Sequence, residues 1–263
     1  LETKEVIEKE LSKTKKDENK INASDIFNMQ SQNSQTISIN QSLTSKDIKI
    51  IGLYDPEDYG LRIDMWINSD GDQLKNLFSN LSKLELSKDS TELMNILLLT
   101  NAYYPKKNIT EKEFLKIKAD WLIKKKNLDL IEEYVLKNSL LDLQPNLTRF
   151  LVDEYLSAAN VSKTCDIFSK NLQPINDEYL SKINIYCLVN DQKNEEAQLI
   201  LDLKKEMGFK DNYFEKKINY LLGYTNETDV SISEKNIFDF FLAHRTNPNF
   251  TFEPTEKTKK IIW

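Results

Sequence analysis

Asn127, Asn160 and Asn194 stand 33 and 34 residues apart, and each separates two segments of helical length. Trp121 and Leu122, then Tyr155 and Leu156, then Tyr186 and Leu188 precede these asparagines; Tyr134, Ile167 and Leu201 follow them. Pro145 and Pro174 fall between the pairs. A chain that repeats helix, short turn, helix is confined to packing helices on helices. The pattern extends in both directions. Leu74, Leu77, Phe78 and Leu81 follow the i, i+3, i+4, i+7 spacing of an amphipathic helix. The periodicity predicts a helix opening at Asp72, a buried one over Glu92–Tyr104, and then Glu111–Lys126, Leu128–Asn138, Asn146–Ala159, Ser162–Asn171, Asp177–Val189, Asn194–Met207, Asn212–Gly223 and Ser233–Arg245.

Helix–turn–helix units with a period of about 34 residues resemble a tetratricopeptide array. The usual small residue after the first-helix leucine is missing, and only Ala197 suggests the small position of the second helix. The expected fold class is all-α, a tetratricopeptide-like α-solenoid of antiparallel helix hairpins preceded by an irregular N-terminal segment. The alternative is a generic helical bundle with a coincidental spacing.

Composition excludes other classes. Five glycines in 263 residues fall far below the usual ~7%, which disfavours glycine-dependent nucleotide folds and β-barrels. With 36 basic and 42 acidic residues the net charge is −6, against a pervasive nucleic-acid surface. No run of about 18 apolar residues is present, so no membrane span is expected within this chain. Arginine occurs only at Arg62, Arg149 and Arg245, and Lys, Asn and Ile are abundant, a bias expected of an AT-rich genome. The Asn-x-Ser/Thr triplets at Asn108, Asn146, Asn160 and Asn226 follow from the same bias.

Residues 1–46 form a polar, linker-like segment, with Val6, Ile7 and Leu11 as a short amphipathic cluster and Ile26 and Phe27 as docking points. Residues 47–71 hold Gly52, Gly60 and Gly71 and predict an irregular apolar loop with at most one short strand, packed through Leu53, Tyr54, Leu61, Met65 and Trp66. Residues 72–245 are the helical-repeat domain. Residues 246–263 are a C-terminal extension in which Pro254 precedes the expected first turns of a helix over Glu256–Trp263, continuing beyond the chain. With Leu1 in place of Met, a segment processed or cut away upstream is expected.

Gly52-Leu53-Tyr54-Asp55-Pro56, Gly60-Leu61 and Met65-Trp66, with Tyr186-Cys187-Leu188, Ala197, Leu199, Glu206 and Gly208, resemble a group of alphaproteobacterial envelope-associated helical-repeat proteins. The resemblance covers roughly residues 50–225. It implies an architecture and an envelope location, and supplies no catalytic residues.

The candidate chemistry is sparse. His244, the lone histidine, sits beside Arg245 at a helix end, where a cation suits the dipole. Asn68-Ser69-Asp70-Gly71-Asp72 has the look of a calcium loop, but its twelfth position is Ser79 rather than Glu; a helix-capping turn is the simpler reading. Asp55, Glu57 and Asp58 beside Tyr54 and Tyr59 are read as solvated turn acids rather than a glycosidase pair. Lys124–Lys126 and Lys257–Lys260 are short basic runs without interleaved aromatics. No phosphate loop or nucleophile elbow occurs. The expectation is no enzyme activity, no cofactor, no metal and no nucleic-acid partner.

Cys165 and Cys187 are the chain's two cysteines. The repeat register puts them on touching helices of consecutive hairpins, so a disulfide and a pair of buried reduced thiols are both open readings. A disulfide, with the envelope resemblance, points to the periplasm. The expected role is a protein or peptide interaction scaffold using a helical-repeat groove. The alternative is the helical accessory domain of a larger envelope enzyme such as a cell-wall hydrolase.

Overall fold

A computed structural model describes residues 50–171 and 174–262; the 1–46 segment with its Val6, Ile7, Leu11, Ile26 and Phe27, and Trp263, lie outside the described residues. The chain divides into two units, 1–49 and 50–263, and all described residues belong to the second. These residues form ten α-helices and no strand: α1 (Gly71–Leu81), α2 (Lys88–Leu99), α3 (Glu111–Lys125), α4 (Leu128–Lys137), α5 (Pro145–Ser157), α6 (Val161–Ser169), α7 (Glu178–Asn190), α8 (Asn194–Glu206), α9 (Asn212–Leu221) and α10 (Ile237–Thr246). Two 3-10 turns, Glu57–Tyr59 and Lys260–Ile262, lie outside them.

Helix starts follow their caps. Asp70, Ser87, Asn127, Asn160, Asp177, Asp211 and Asn236 each accept a backbone N–H in the first turn of the helix they open. Thr110 and Glu113 form a reciprocal capping box at α3, and α5 opens on Pro145.

The turns inside the three central helix pairs share one backbone register. Lys126, Ala159 and Gln192 adopt left-handed conformations, with φ of 53°, 55° and 63°. Each precedes the N-cap of the second helix: Asn127, Asn160 and Lys193. Asn194 is therefore not a cap but the first residue of α8, and Lys193 makes no side-chain cap bond. Ile131, Thr164 and Ala197, equally spaced along the second helices, are all almost wholly buried.

Helix α5 is the hub. It packs on α3, α4, α6, α7, α10 and the Lys260–Ile262 turn; α7 packs on α6, α8 and α9, and α9 on α10. Phe238 of α10 lies edge-on to Tyr179 and Tyr186 of α7, with ring centroids 6.2 and 5.9 Å apart. The last helix thus returns to the middle of the array.

Four boundaries differ from the periodicity. Helix α2 begins at Lys88 because Ser87 caps it, and stops at Leu99 because the next residues turn to meet the 50–70 segment. Asn101 N–H donates to the Tyr54 carbonyl at 2.9 Å and Tyr103 N–H to that of Ile63 at 2.8 Å. Pro105 further disfavours helix just before it. Nor is α2 buried all round: Leu98 and Leu99 are, but Leu93 is exposed. Helix α10 begins after its Asn236 cap rather than at Ser233. The expected C-terminal helix is a turn followed by the Lys260–Ile262 3-10 turn. Leu77, expected on the buried face of α1, is exposed.

Within the 50–70 segment, Tyr54 and Asp70 make isolated parallel bridges to Thr100 and Lys107 rather than a strand. Leu53, Tyr54 and Trp66 join the core, whereas Leu61 and Met65 are half-buried outside it. Three side chains pin residues 51–53. Lys118 Nζ donates to the Ile51 carbonyl at 2.7 Å and Lys137 Nζ to that of Leu53 at 2.6 Å. The Asn138 side chain accepts from Gly52 N–H at 3.2 Å and donates to its carbonyl at 3.0 Å. A Cβ at Gly52 would lie 2.6 Å from the Leu99 carbonyl oxygen, and one at Gly71 would lie 2.3 Å from Ile109 Cβ. These two glycines are required by close approach.

Candidate functional site: an apolar groove along α8

Helix α8 is apolar on two sides. Ala197 and Leu201 are fully buried, while Leu199, Leu203 and Met207 are 61%, 50% and 76% exposed. With 100° between successive residues, Leu199, Leu203 and Met207 follow one outward stripe, and Ile200 adjoins it. Beside this stripe lies a cavity of about 550 Å³ between α6, α7 and α8, walled by Phe168, Leu188, Ile200 and Leu203 and by the two cysteines. This volume holds several large side chains and falls inside the ordinary range of ligand pockets, so the cavity alone does not set the class of occupant.

Cys165 of α6 and Cys187 of α7 meet at the floor of the groove. Their sulfurs are within bonding distance and their Cα atoms are 5.2 Å apart. The helices that carry them touch, as expected of the pair.

The exposed charges of α8 itself are all acidic, while Lys193 and Lys204 also line the cavity. Apart from Asn194, the exposed polar residues of α8 are Glu195, Glu196, Asp202 and Glu206. Its two lysines turn inward: Lys204 Nζ donates to the Ile175 carbonyl at 2.5 Å, and Lys205 pairs with Glu215 at 3.1 Å. Lys193 and Asp191 stand on the cavity rim at the N-terminal end.

The other sequence candidates have structural employment. Asp70 caps α1, and its carboxylate also meets Lys107 at 3.1 Å and Asn108 at 2.8 Å. Lys107 is the main cause that draws the Asp70 pKa below its ordinary value. Asp55 accepts from Glu57 N–H, and Asp55, Glu57 and Asp58 all lie exposed on the 3-10 turn. His244 is exposed and packs edge-on to Phe250 at 5.0 Å. Lys125 lies over the Trp121 ring at 4.6 Å, Lys126 pairs with Glu154 at 3.7 Å, and Lys259 donates to the Lys235 carbonyl. No group of three or more metal-ligating side chains occurs among the described residues.

Several buried charges were invisible in the sequence. Lys182 reaches Asp211 at 2.9 Å and Asp239 at 3.0 Å. Lys217 bonds the Asp229 and Ser231 carbonyls. Burial pushes the Lys118 amine down to about 7. Burial also raises Asp153 to about 6, against the lowering effect of the Tyr179 hydroxyl, which donates to it at 2.5 Å. The groove did leave a signal: Leu199, Ile200, Leu201 and Leu203 exceed the apolar residues one buried face can absorb. No described helix is long and apolar enough to cross a membrane. No family model, curated protein or solved structure matches the chain.

Proposed function

We propose that the chain is a non-enzymatic protein-interaction scaffold, a tetratricopeptide-like helical repeat working in the periplasm, and that it binds its partner along α8. The observation that carries this reading is the exposed Leu199, Leu203 and Met207 stripe beside the groove. Apolar surface contiguous with a cavity marks interaction sites. The repeat reading is supported by the common turn register at Lys126, Ala159 and Gln192 and by the succession of contacts from α3 to α5, α7 and α9. Helix α10 packs on α5 and α9 and meets α7 through Phe238, while Leu199, Leu203 and Met207 of the α8 stripe stay exposed. The periplasmic address rests on the cysteine pair and on the envelope-protein resemblance.

The test is affinity isolation from the native host, comparing the wild type with Leu203→Asp/Met207→Asp. Both positions are exposed, so the fold is expected to survive. The reading requires a partner that the wild type retains and the variant loses. Identical partner sets would overturn it.

A further inference from the structure

The outward face of α8 combines two properties that together specify a partner. Its apolar stripe needs an apolar complement. Its exposed charges, Glu195, Glu196, Asp202 and Glu206, are all acidic; Lys205 is paired with Glu215, and Lys204, which lines the cavity, has its amine bonded to the Ile175 carbonyl. We infer that the α8 groove receives a basic amphipathic helix, whose apolar side chains fill the cavity beside Cys165 and Cys187 while its flanking Lys or Arg side chains meet the α8 carboxylates. The inference rests on the scaffold reading and names the partner class for that same surface.

Helix-in-groove recognition uses anchors at i, i+3 or i+4, and i+7. Leu199, Leu203 and Met207, at i, i+4 and i+8, offer a facing row of one apolar side chain per helical turn. Complementary charge sets partner choice and on-rate more than raw affinity. An acidic helix or an anionic bilayer would meet the carboxylates of Glu195, Glu196, Asp202 and Glu206 with only Lys193 and Lys204 to offset them at the cavity, although a bilayer offers the same apolar chemistry. Asp191 and Glu196 carry acidic charge to the cavity rim, where the exposed Lys193 stands between them in sequence as a single cation.

The experiment titrates the full chain with a labelled amphipathic Leu/Lys peptide, with its Leu/Glu analogue, and with phosphatidylglycerol vesicles. The Leu/Lys peptide is expected to bind saturably, about tenfold or more tighter than the analogue. Glu195→Lys/Asp202→Lys/Glu206→Lys is expected to invert that preference, and Leu203→Asp/Met207→Asp to abolish binding, with helicity of both variants checked by circular dichroism. Failure of the Leu/Lys peptide to bind, equal binding of both peptides, binding indifferent to Leu203→Asp/Met207→Asp, or capture by the vesicles would each overturn the inference. If the native partner still depends on Leu203 and Met207 while the Leu/Glu peptide binds better, the scaffold stands and the basic partner falls.

Discussion

Lys182 and Asp239 are 57 residues apart in the chain and 3.0 Å apart in space, with side chains only 7% and 4% exposed. Asp211, the N-cap of α9, completes the cluster at 2.9 Å. One buried cation therefore joins α7, α9 and α10. Breaking a buried pair leaves an uncompensated charge and costs roughly 3–5 kcal/mol. Asp239→Ala leaves Lys182 with Asp211, whereas Lys182→Ala strands a buried carboxylate. Urea denaturation should find Lys182→Ala the more destabilising of the two. The reverse order would contradict the assignment of Lys182 as the shared centre.

Gly52 is held where a side chain does not fit. Its added Cβ would meet the Leu99 carbonyl oxygen at 2.6 Å and Asn101 N at 2.8 Å, both backbone atoms that cannot turn aside. Gly52→Ala should cost about 2 kcal/mol, in the range for overpacking. Asn138→Leu, which strips both side-chain hydrogen bonds from Gly52, should cost a similar amount. Thermal unfolding of each variant checks this, and an unshifted Tm for Gly52→Ala would contradict it.

Asp153 predicts a pH dependence with a definite sign. Burial raises its pKa from 3.8 to about 6; the Tyr179 hydroxyl, Arg149 and Lys259 act against that rise, and Glu154 adds to it. Because the folded pKa exceeds the unfolded one, the folded state holds the proton more tightly between about pH 4 and 6. The stabilisation is complete below pH 4 and is lost as the pH climbs through 6. The loss amounts to about 2–3 kcal/mol. Asp153→Asn should remove that increment, so the wild-type minus variant stability should fall from pH 4 to pH 7. A flat difference would show that Asp153 titrates near its ordinary value.

The cysteine pair closes a loop with a sequence separation of 22. A bridge of that span contributes about 3 kcal/mol in the chain-entropy account. Cys165→Ser/Cys187→Ser should lose about that much under oxidising conditions, and the wild type should lose it on reduction. Thiol counting on denatured protein from the native host should find none free. Two free thiols would remove the physical ground for a periplasmic address.

The sequence was legible where structure is local. Asn127 and Asn160 are the caps that their positions imply, and α3 to α9 lie within a few residues of their predicted bounds. The helix expected from Asn194 does begin there, although its N-cap is Lys193 and the left-handed turn residue is Gln192. Long-range features were not legible. The return of α10 to α5 and the meeting of Lys182 on α7 with Asp239 are pairings no local pattern encodes. Lysine abundance, read as genomic bias, turns out to have structural use: Lys118, Lys137, Lys204 and Lys217 pin loop carbonyls to the helices. A long flexible cation serves there because its stem packs while its head donates. The α8 groove was half legible. The excess of apolar residues is visible in sequence, but which of them are buried is settled by the packing of α8 on α7.

Site-specific photo-crosslinking in the native host tests the interaction surface most directly. A photoreactive residue at Leu203 samples the groove, and one at the exposed Glu227 samples a surface outside it. The scaffold account predicts a discrete crosslinked protein from position 203, lost when Met207→Asp is added, and none from position 227. Equal crosslinking from both positions, or none from position 203, would contradict it.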